Sequence, residues 1–335
     1  MPLKLLFLRK FSPPDMDYLR AKLSQYYEFI IPENYSDDSV ISLSENADVF
    51  LGDKITRELI DVSKKLRLIQ LPSTGVDRMN LNALKGRDID ICNSHSNSSY
   101  VAEFAVSLMF SLIKKIYLHD GLMRNGDSFS LKNDKDDLLY LSDTIIGKTI
   151  GFLGFGNIAQ GIAAFMSGFN VKIIANVKNR DKARCLDKKI SKIDYLGLNA
   201  ALSGADVLFI CLPLTTNTRD MITLEKIRLM RKTSYIVNIS RGPILDQESL
   251  FIALKERYIA GAAVDCWYDD FCRDGNKQYP SKNYPFHTLK NIILSPHRAG
   301  YIKDEFPHLA DVVKNLVLFS KGERLINIID INAGY

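Results

Sequence analysis

The residues whose types and spacing carry the clearest chemistry are the glycines of Thr149-Ile-Gly-Phe-Leu-Gly-Phe-Gly-Asn-Ile-Ala159, where a short apolar run enters Gly-x-Gly-x-x-Ala and continues as an apolar, helix-like segment. That order suits a backbone that must hold a dinucleotide pyrophosphate. Gly154 permits the tight strand-to-helix turn, Gly156 lets the main chain approach the phosphates, and the small Ala159 lets helix and strand pack closely. The helix start, with Asn157 and Ile158 in its first turn, then directs free N–H groups at the anion. Alone, such a motif is a weak signal that a glycine-rich turn also satisfies.

The type of dinucleotide is written at the end of the next strand. Folds of this kind that use NAD place an acid about 20 residues after the first glycine to bind the ribose hydroxyls, whereas an arginine accommodates a 2′-phosphate. No acidic residue lies between Gly154 and Asp181. The segment reads Ala175-Asn-Val-Lys-Asn-Arg180, with Val177 about where the acid would stand and Lys178 and Arg180 beside it. These residues favour NADP(H) over NAD(H). The alternative is that Lys178, Arg180, Lys182 and Arg184 form a solvated helix face.

The elements that must position these groups follow from apolar periodicity. Residues 171–175, 206–212, 235–239, 260–264 and 291–294 are short apolar runs separated by segments of helical length, the pattern of a parallel sheet covered on both faces. A second set precedes the glycine turn, at residues 3–8, 29–31, 49–51, 68–71 and 89–92. Between the sets, Val101, Phe104, Ala105, Leu108, Met109, Leu112, Ile113 and Ile116 have helical spacing behind a candidate N-cap, Ser99. Leu309, Val312, Val313, Leu316, Val317 and Phe319 predict another amphipathic helix, after which the tail is expected to return to the first domain. The reading is two doubly wound α/β domains, 98–299 for the dinucleotide and a discontinuous 1–97 plus 300–335. Residues 121–142, polar and charged, read as a solvated loop.

Composition narrows the class further. A length of 335 residues is about twice a typical domain. With 46% hydrophobic and 25% charged residues and a formal net charge of +5, the chain is that of an ordinary globular protein with no basic stripe for nucleic acid. The apolar start is too short for a signal segment or a membrane span and reads as a strand. The five cysteines Cys92, Cys185, Cys211, Cys266 and Cys272 form no C-x-x-C pair, which points to a reduced, cytoplasmic setting with no metal centre.

Several further segments carry a family resemblance. Residues 238–250 (Asn-Ile-Ser-Arg-Gly-Pro-Ile-Leu-Asp-Gln-Glu-Ser-Leu), 259–267 (Ile-Ala-Gly-Ala-Ala-Val-Asp-Cys-Trp) and 294–300 (Leu-Ser-Pro-His-Arg-Ala-Gly) resemble the closing motifs of the D-isomer-specific 2-hydroxyacid dehydrogenases. Residues 147–159 resemble their cofactor turn, 70–77 their substrate loop and 212–218 the loop after the fourth strand. The resemblance covers nearly the whole chain, in order. It implies two Rossmann-like or flavodoxin-like domains with an active-site cleft between them, and reversible hydride transfer between NAD(P)H and a small 2-keto acid such as glyoxylate or hydroxypyruvate.

The same resemblance implies roles for residues. His297 takes the place of the acid/base, since imidazole titrates near neutrality, and Arg241 that of the arginine whose fork pairs with the substrate carboxylate while polarising its carbonyl. Ser73, Thr74 and Gly75 would direct backbone N–H groups at that carboxylate. Leu212, Pro213, Thr218, Ile239 and Arg241 line the cofactor, and Asp265 faces the nicotinamide carboxamide or, alternatively, caps nearby backbone at a strand end. Tyr100, Trp267, Tyr268 and Tyr301 are candidates for pocket walls. For His95, His119, His287 and His308 a structural role is the simpler reading.

One departure concerns the histidine's partner. The family's usual Glu-Pro is replaced by Trp267-Tyr-Asp-Asp-Phe271, so Asp270 is the nearest counterpart, followed by a polar insertion. That change leaves an alternative: a weakly catalytic, dehydrogenase-like sensor of the nicotinamide cofactor that acts through a protein partner. Retention of both Arg241 and His297 favours the enzyme. The resemblance also implies a homodimer formed through the cofactor domain, with no nucleic acid or membrane as partner.

Overall fold

The apolar runs are strands of two all-parallel sheets in a computed structural model that describes residues 2–77, 79–126, 140–181, 192–268, 272–274, 277–303 and 306–335. Two compact units form, residues 1–97 with 302–335 and residues 98–301. In the first, β1 (Leu3–Phe7), β2 (Tyr27–Ile30), β3 (Val49–Leu51), β4 (Leu68–Gln70) and β5 (Asp90–Cys92) lie in the order β2-β1-β3-β4-β5. This is the flavodoxin-like doubly wound order. Successive side chains serve opposite faces, as the two-residue period of a strand requires. Leu6, Leu8, Phe50, Ile69 and Ile91 pack with α2 (Asp37–Ser44) and α3 (Arg57–Val62). Leu5, Phe7, Val49, Leu51 and Leu68 meet α1 (Pro13–Leu23) and the C-terminal helix. α1 starts on a capping box between Ser12 and Asp15.

The second unit has seven strands in the order β14-β11-β10-β9-β6-β7-β8. They are β6 (Thr149–Leu153), β7 (Lys172–Asn176), β8 (Asp194–Tyr195), β9 (Val207–Ile210), β10 (Tyr235–Asn238), β11 (Gly261–Val264) and β14 (Ile292–Leu294). An added antiparallel hairpin joins β12 (Cys272–Asp274) to β13 (Lys277–Tyr279) inside the polar insertion, where the sequence shows no apolar alternation. Phe152, Phe209 and Val237 face α4 (Ser98–Ile113) and α6 (Asn157–Met166). Leu208, Ile210, Ile236 and Val264 face the other side, covered by α7 (Leu198–Gly204), α8 (Leu224–Ile227) and α9 (Gln247–Lys255). The Phe152 and Phe209 rings stack at 5.5 Å, fully buried; each contributes roughly 1.5–3 kcal/mol by burial. α4 and α6 touch through small residues, for a Cβ on Gly161 would lie 2.8 Å from that of Ala102.

Two expectations from periodicity give way. The helix expected to run on through Ile116 stops at Ile113, and α5 (Ile116–Arg124) starts afresh after Lys115, which takes a left-handed φ of 57°. The break lays the buried Lys115 ammonium over the Tyr235 ring at 4.9 Å, and burial lowers its pKa. α5 also claims the start of the stretch read as loop from residue 121; residues 127–139 lie outside the described residues.

After α10 (Ala310–Ser320), Ile328 bridges Cys92 antiparallel, and Ile329 N–H donates to the Ile91 carbonyl at 2.8 Å. Among the described residues no helix is long and apolar enough to cross a membrane.

Candidate active site

The glycine turn lies where the order of the larger sheet reverses, between β6 and β9. Gly154 has φ +83°, and a Cβ there would sit 2.7 Å from the Cys211 carbonyl oxygen, so conformation and space both demand glycine. Gly156 is the N-cap of α6 with no side-chain cap, and a Cβ added to it would meet nothing within 4 Å. The start of α6 is therefore open beside Gly156, while Ala159 is fully buried against the core. An anionic dinucleotide fits this cradle. Beyond β7, Val177 is half-buried in the core, and Lys178 and Arg180 are exposed. Lys182 and Arg184 lie outside the described residues.

The loop after β9 is shaped by its own hydroxyls. Thr218 Oγ1 donates to the Pro213 carbonyl at 2.7 Å and accepts from Thr215 N–H at 2.8 Å. The Ser240 hydroxyl donates to the Leu212 carbonyl, tying this loop to the one after β10. There Asn238, only 1% exposed, accepts from Ser240 N–H at 3.1 Å and donates through Nδ2 to the Arg241 carbonyl at 3.1 Å. Arg241 is thus presented from a closed turn, its Nη1 donating to Ser240 O at 2.9 Å. A Cβ on Gly242 would lie 2.5 Å from the Trp267 carbonyl oxygen, which explains the glycine after the arginine. Ile239 is buried in the core, so its side chain serves packing.

His297 stands exposed on the loop after β14 with a left-handed φ of 57°. Holding a side-chain-bearing residue there costs about 1–3 kcal/mol, strain that recurs at functional sites. The brace is Asp265. Its carboxylate is 1% exposed and accepts from the Ser295 hydroxyl, from Arg298 N–H at 2.8 Å and from Ala299 N–H at 3.0 Å. Trp267 Nε1 adds a bond to Ser295 O at 2.8 Å. In this arrangement Asp265 caps the strand end as the sequence's alternative has it, taking the Ser295 side-chain hydroxyl before His297 and two backbone N–H groups after it. Asp269 and Asp270 fall outside the described residues.

In the smaller unit, Ser73, Thr74 and Gly75 follow β4 half-buried. Thr74 Oγ1 donates to Ser94 O at 2.8 Å, Asn93 Nδ2 to Thr74 O at 2.7 Å, and Ser94 N–H to Ser73 O at 3.2 Å. Burial lowers the pKa of the neighbouring His95 against the opposing pull of Asp311. Behind this loop, Asn93 and Asn315 escape the sequence reading, which takes Gln70 only as the start of the 70–77 segment, although a polar residue inside the apolar stripe of α10 is a signal for Asn315.

Of the aromatic candidates, Tyr268 is 8% exposed with its hydroxyl on Leu245 O, and Trp267 packs on Phe286 at 5.6 Å, so both serve the core. Tyr301 is 71% exposed beside the Arg298 guanidinium. Burial raises the Cys211 thiol strongly and pushes Cys92 up to about 12, which leaves both unreactive near neutrality.

Comparison with known proteins agrees with this geometry. The model of the D-isomer specific 2-hydroxyacid dehydrogenase, NAD binding domain, matches residues 106–299. A glyoxylate reductase of Thermofilum pendens is 31% identical over 276 residues, covering 82% of this chain and 77% of the relative. One of Aeropyrum pernix is 28% identical over 316 residues, covering 92% and 91%. A solved protein of Pyrococcus horikoshii OT3 superposes with a TM-score of 0.80 at 26% identity, covering 98% of this chain and 96% of that one. With the glycine cradle, the arginine turn and the braced histidine carried on one sheet, the chain belongs to the D-isomer specific 2-hydroxyacid dehydrogenase family of NAD(P)-dependent oxidoreductases.

Proposed function

We propose that the protein reduces glyoxylate or a similarly small 2-keto acid to the 2-hydroxy acid and prefers NADPH to NADH. The observation that carries the reading is the His297 loop, strained at the histidine and clamped by Asp265. It lies at the carboxyl end of β14, two strands from the Arg241 turn at the end of β10 in the same sheet. Adjacent strands are spaced about 4.8 Å, so the two turns are roughly 10 Å apart, a span that long side chains bridge around a small substrate.

The nicotinamide, when bound, supplies the hydride; the chain's own residues do the rest. Gly154, Gly156 and the first turn of α6 hold the pyrophosphate, with Leu212, Pro213, Thr218 and the Ile239 backbone beside the cofactor. Arg241 pairs with the substrate carboxylate and draws charge from the carbonyl oxygen. His297 delivers a proton to that oxygen as negative charge builds on it. Ser73, Thr74 and Gly75 offer N–H groups to a carboxylate. Asp265 acts through the backbone that carries His297, and Asp270 is the acid nearest in sequence to the family's usual partner for that imidazole.

NADPH preference is supported by Lys178 and Arg180 and by the absence of an acid between Gly154 and Asp181. A homodimer through the larger unit is supported by Ile116, Met123, Ile146, Phe165 and Phe169, all exposed apolar side chains of that unit. The free thiols, Cys92 and Cys266 buried and Cys211 half-buried, suit the cytoplasm. The test is NADPH and NADH oxidation with glyoxylate, hydroxypyruvate and pyruvate. Turnover with NADPH at a kcat/KM above that with NADH is expected, and cofactor binding without turnover of any keto acid would contradict the proposal.

A further inference from the structure

We propose that Asn315 and Asp311, one turn apart on the C-terminal helix α10, are positioning residues for the keto acid's carboxylate, because they fix the loops that carry Ser73, Thr74 and Gly75. The inference rests on the reading that this loop binds a carboxylate.

Asn315 is fully buried beside Val312 and Leu316, a place where an apolar side chain would pack without polar cost. All three of its side-chain hydrogen bonds leave its own helix. Nδ2 donates to Gln70 Oε1 and to Ile326 O, each at 2.9 Å, and Oδ1 accepts from Ile326 N–H at 2.9 Å. Gln70, also fully buried, passes the constraint on. Its Nε2 donates to Leu71 O at 2.9 Å, Cys92 O at 3.3 Å and Asn93 O at 3.4 Å, the chain ends of β4 and β5. Asn93 in turn holds Thr74 O at 2.7 Å.

Asp311 secures the other side of the same loops. Its Oδ2 accepts from His95 N–H at 2.8 Å and from Asn327 Nδ2 at 2.9 Å, and the Asn327 carbonyl receives Asn93 N–H at 3.2 Å. Asn327 takes a left-handed φ of 54° to make both contacts. Helix, tail and loop therefore form one bonded unit, linked by side chains with fixed sets of donors and acceptors and by the Asn93–Asn327 backbone bond. A core built for stability alone has no need of such a buried chain of amides, since matched apolar groups serve as well.

The experiment measures KM and kcat for glyoxylate with NADPH, cofactor Kd by fluorescence, and Tm, in wild type, Asn315→Leu, Asp311→Leu, Asp311→Asn, Asn93→Ser and the control Leu316→Ala. Leu316 is a buried apolar neighbour on α10, so its truncation lowers Tm without touching the loop bonds. Asn315→Leu and Asp311→Leu are expected to raise KM about tenfold or more, with kcat within about twofold and cofactor Kd unchanged. Asp311→Asn retains an acceptor oxygen and should restore KM to within about threefold of wild type. A KM for Asn315→Leu no higher than that of Leu316→Ala at a similar Tm would overturn the proposal. If Asn315→Leu fails to fold, an unchanged KM in Asn93→Ser and Asp311→Leu does the same. Wild-type protein that reduces no keto acid overturns the underlying reading as well, whereas active variants with unchanged KM overturn this inference alone.

Discussion

The loop that carries His297 and the loop that carries Ser73, Thr74 and Gly75 are both held by a buried polar side chain at a strand end, but the braces differ in charge. Asp265, a carboxylate, grips the histidine loop. Neutral amides, Gln70 and Asn93, grip the loop of residues 71–75, and another amide, Asn238, shapes the turn of Arg241. Coulomb's law gives the distinction a purpose. The buried carboxylate of Asp265 is matched by three donors of the histidine loop. Groups that receive a substrate carboxylate would lose affinity beside a fixed negative charge, because like charges repel most strongly where water is excluded. Geometry is secured by hydrogen bonds in both cases; Asp311, the carboxylate of the smaller unit's network, bonds His95 N–H and Asn327 Nδ2 and acts on residues 71–75 through those neighbours, while the amides make the direct contacts.

That contrast can be broken at either end. The largest effect is expected from Arg241→Gln, which removes the only cation assigned to the carboxylate: kcat/KM for glyoxylate should fall about 10²–10³-fold, more than cofactor affinity does. Next comes Asp265→Ala. It leaves two backbone N–H groups and a hydroxyl without their acceptor, so stability should drop by about 3 kcal/mol. Loss of the left-handed loop should lower kcat about 10²-fold with little change in KM. A rise in KM with kcat spared would erase the difference between the two loops, since it would make Asp265 a binding element. A smaller effect is expected from Arg180→Ala, which should weaken NADPH about tenfold and leave NADH unchanged, as measured by fluorescence titration.

The smallest effect separates the units by acid sensitivity. Burial lowers the pKa of both His95 and His308 in the smaller unit, against the opposing pull of Asp311 and Asp15. A histidine depressed in the folded state is protonated first in the unfolded chain. Stability is therefore retained above the unfolded value of about 6.5 and lost as pH falls from there toward the lower folded value. Between pH 7.5 and 5.5, Tm of the wild type should fall more steeply than that of His95→Gln.

Much of this was legible in the sequence because the relevant constraints are local. The glycine turn announces itself since Gly154 needs a conformation and a clearance that other residues lack, and the buried strands show as unbroken apolar runs. The role of Asp265 is different: a carboxylate at a strand end serves a ligand or the neighbouring backbone, and spacing does not show the three donors it takes from the loop. Asn315 and Gln70 are separated by 245 residues, so their bond has no trace in spacing. Lys115 is a good helix former that ends α4 because its side chain reaches the Tyr235 ring, a contact that propensity does not contain. β8, two residues long, is too short for any periodic signal.

The most direct test of the central claim is the single-turnover rate of NADPH oxidation by glyoxylate in wild type and His297→Gln, both saturated with cofactor. The account predicts a loss of about 10²–10⁴-fold in that rate, the size of a lost general acid, with NADPH affinity retained. A variant that still transfers hydride within about tenfold of the wild-type rate would contradict it, because a braced and strained histidine would then have no part in the chemistry.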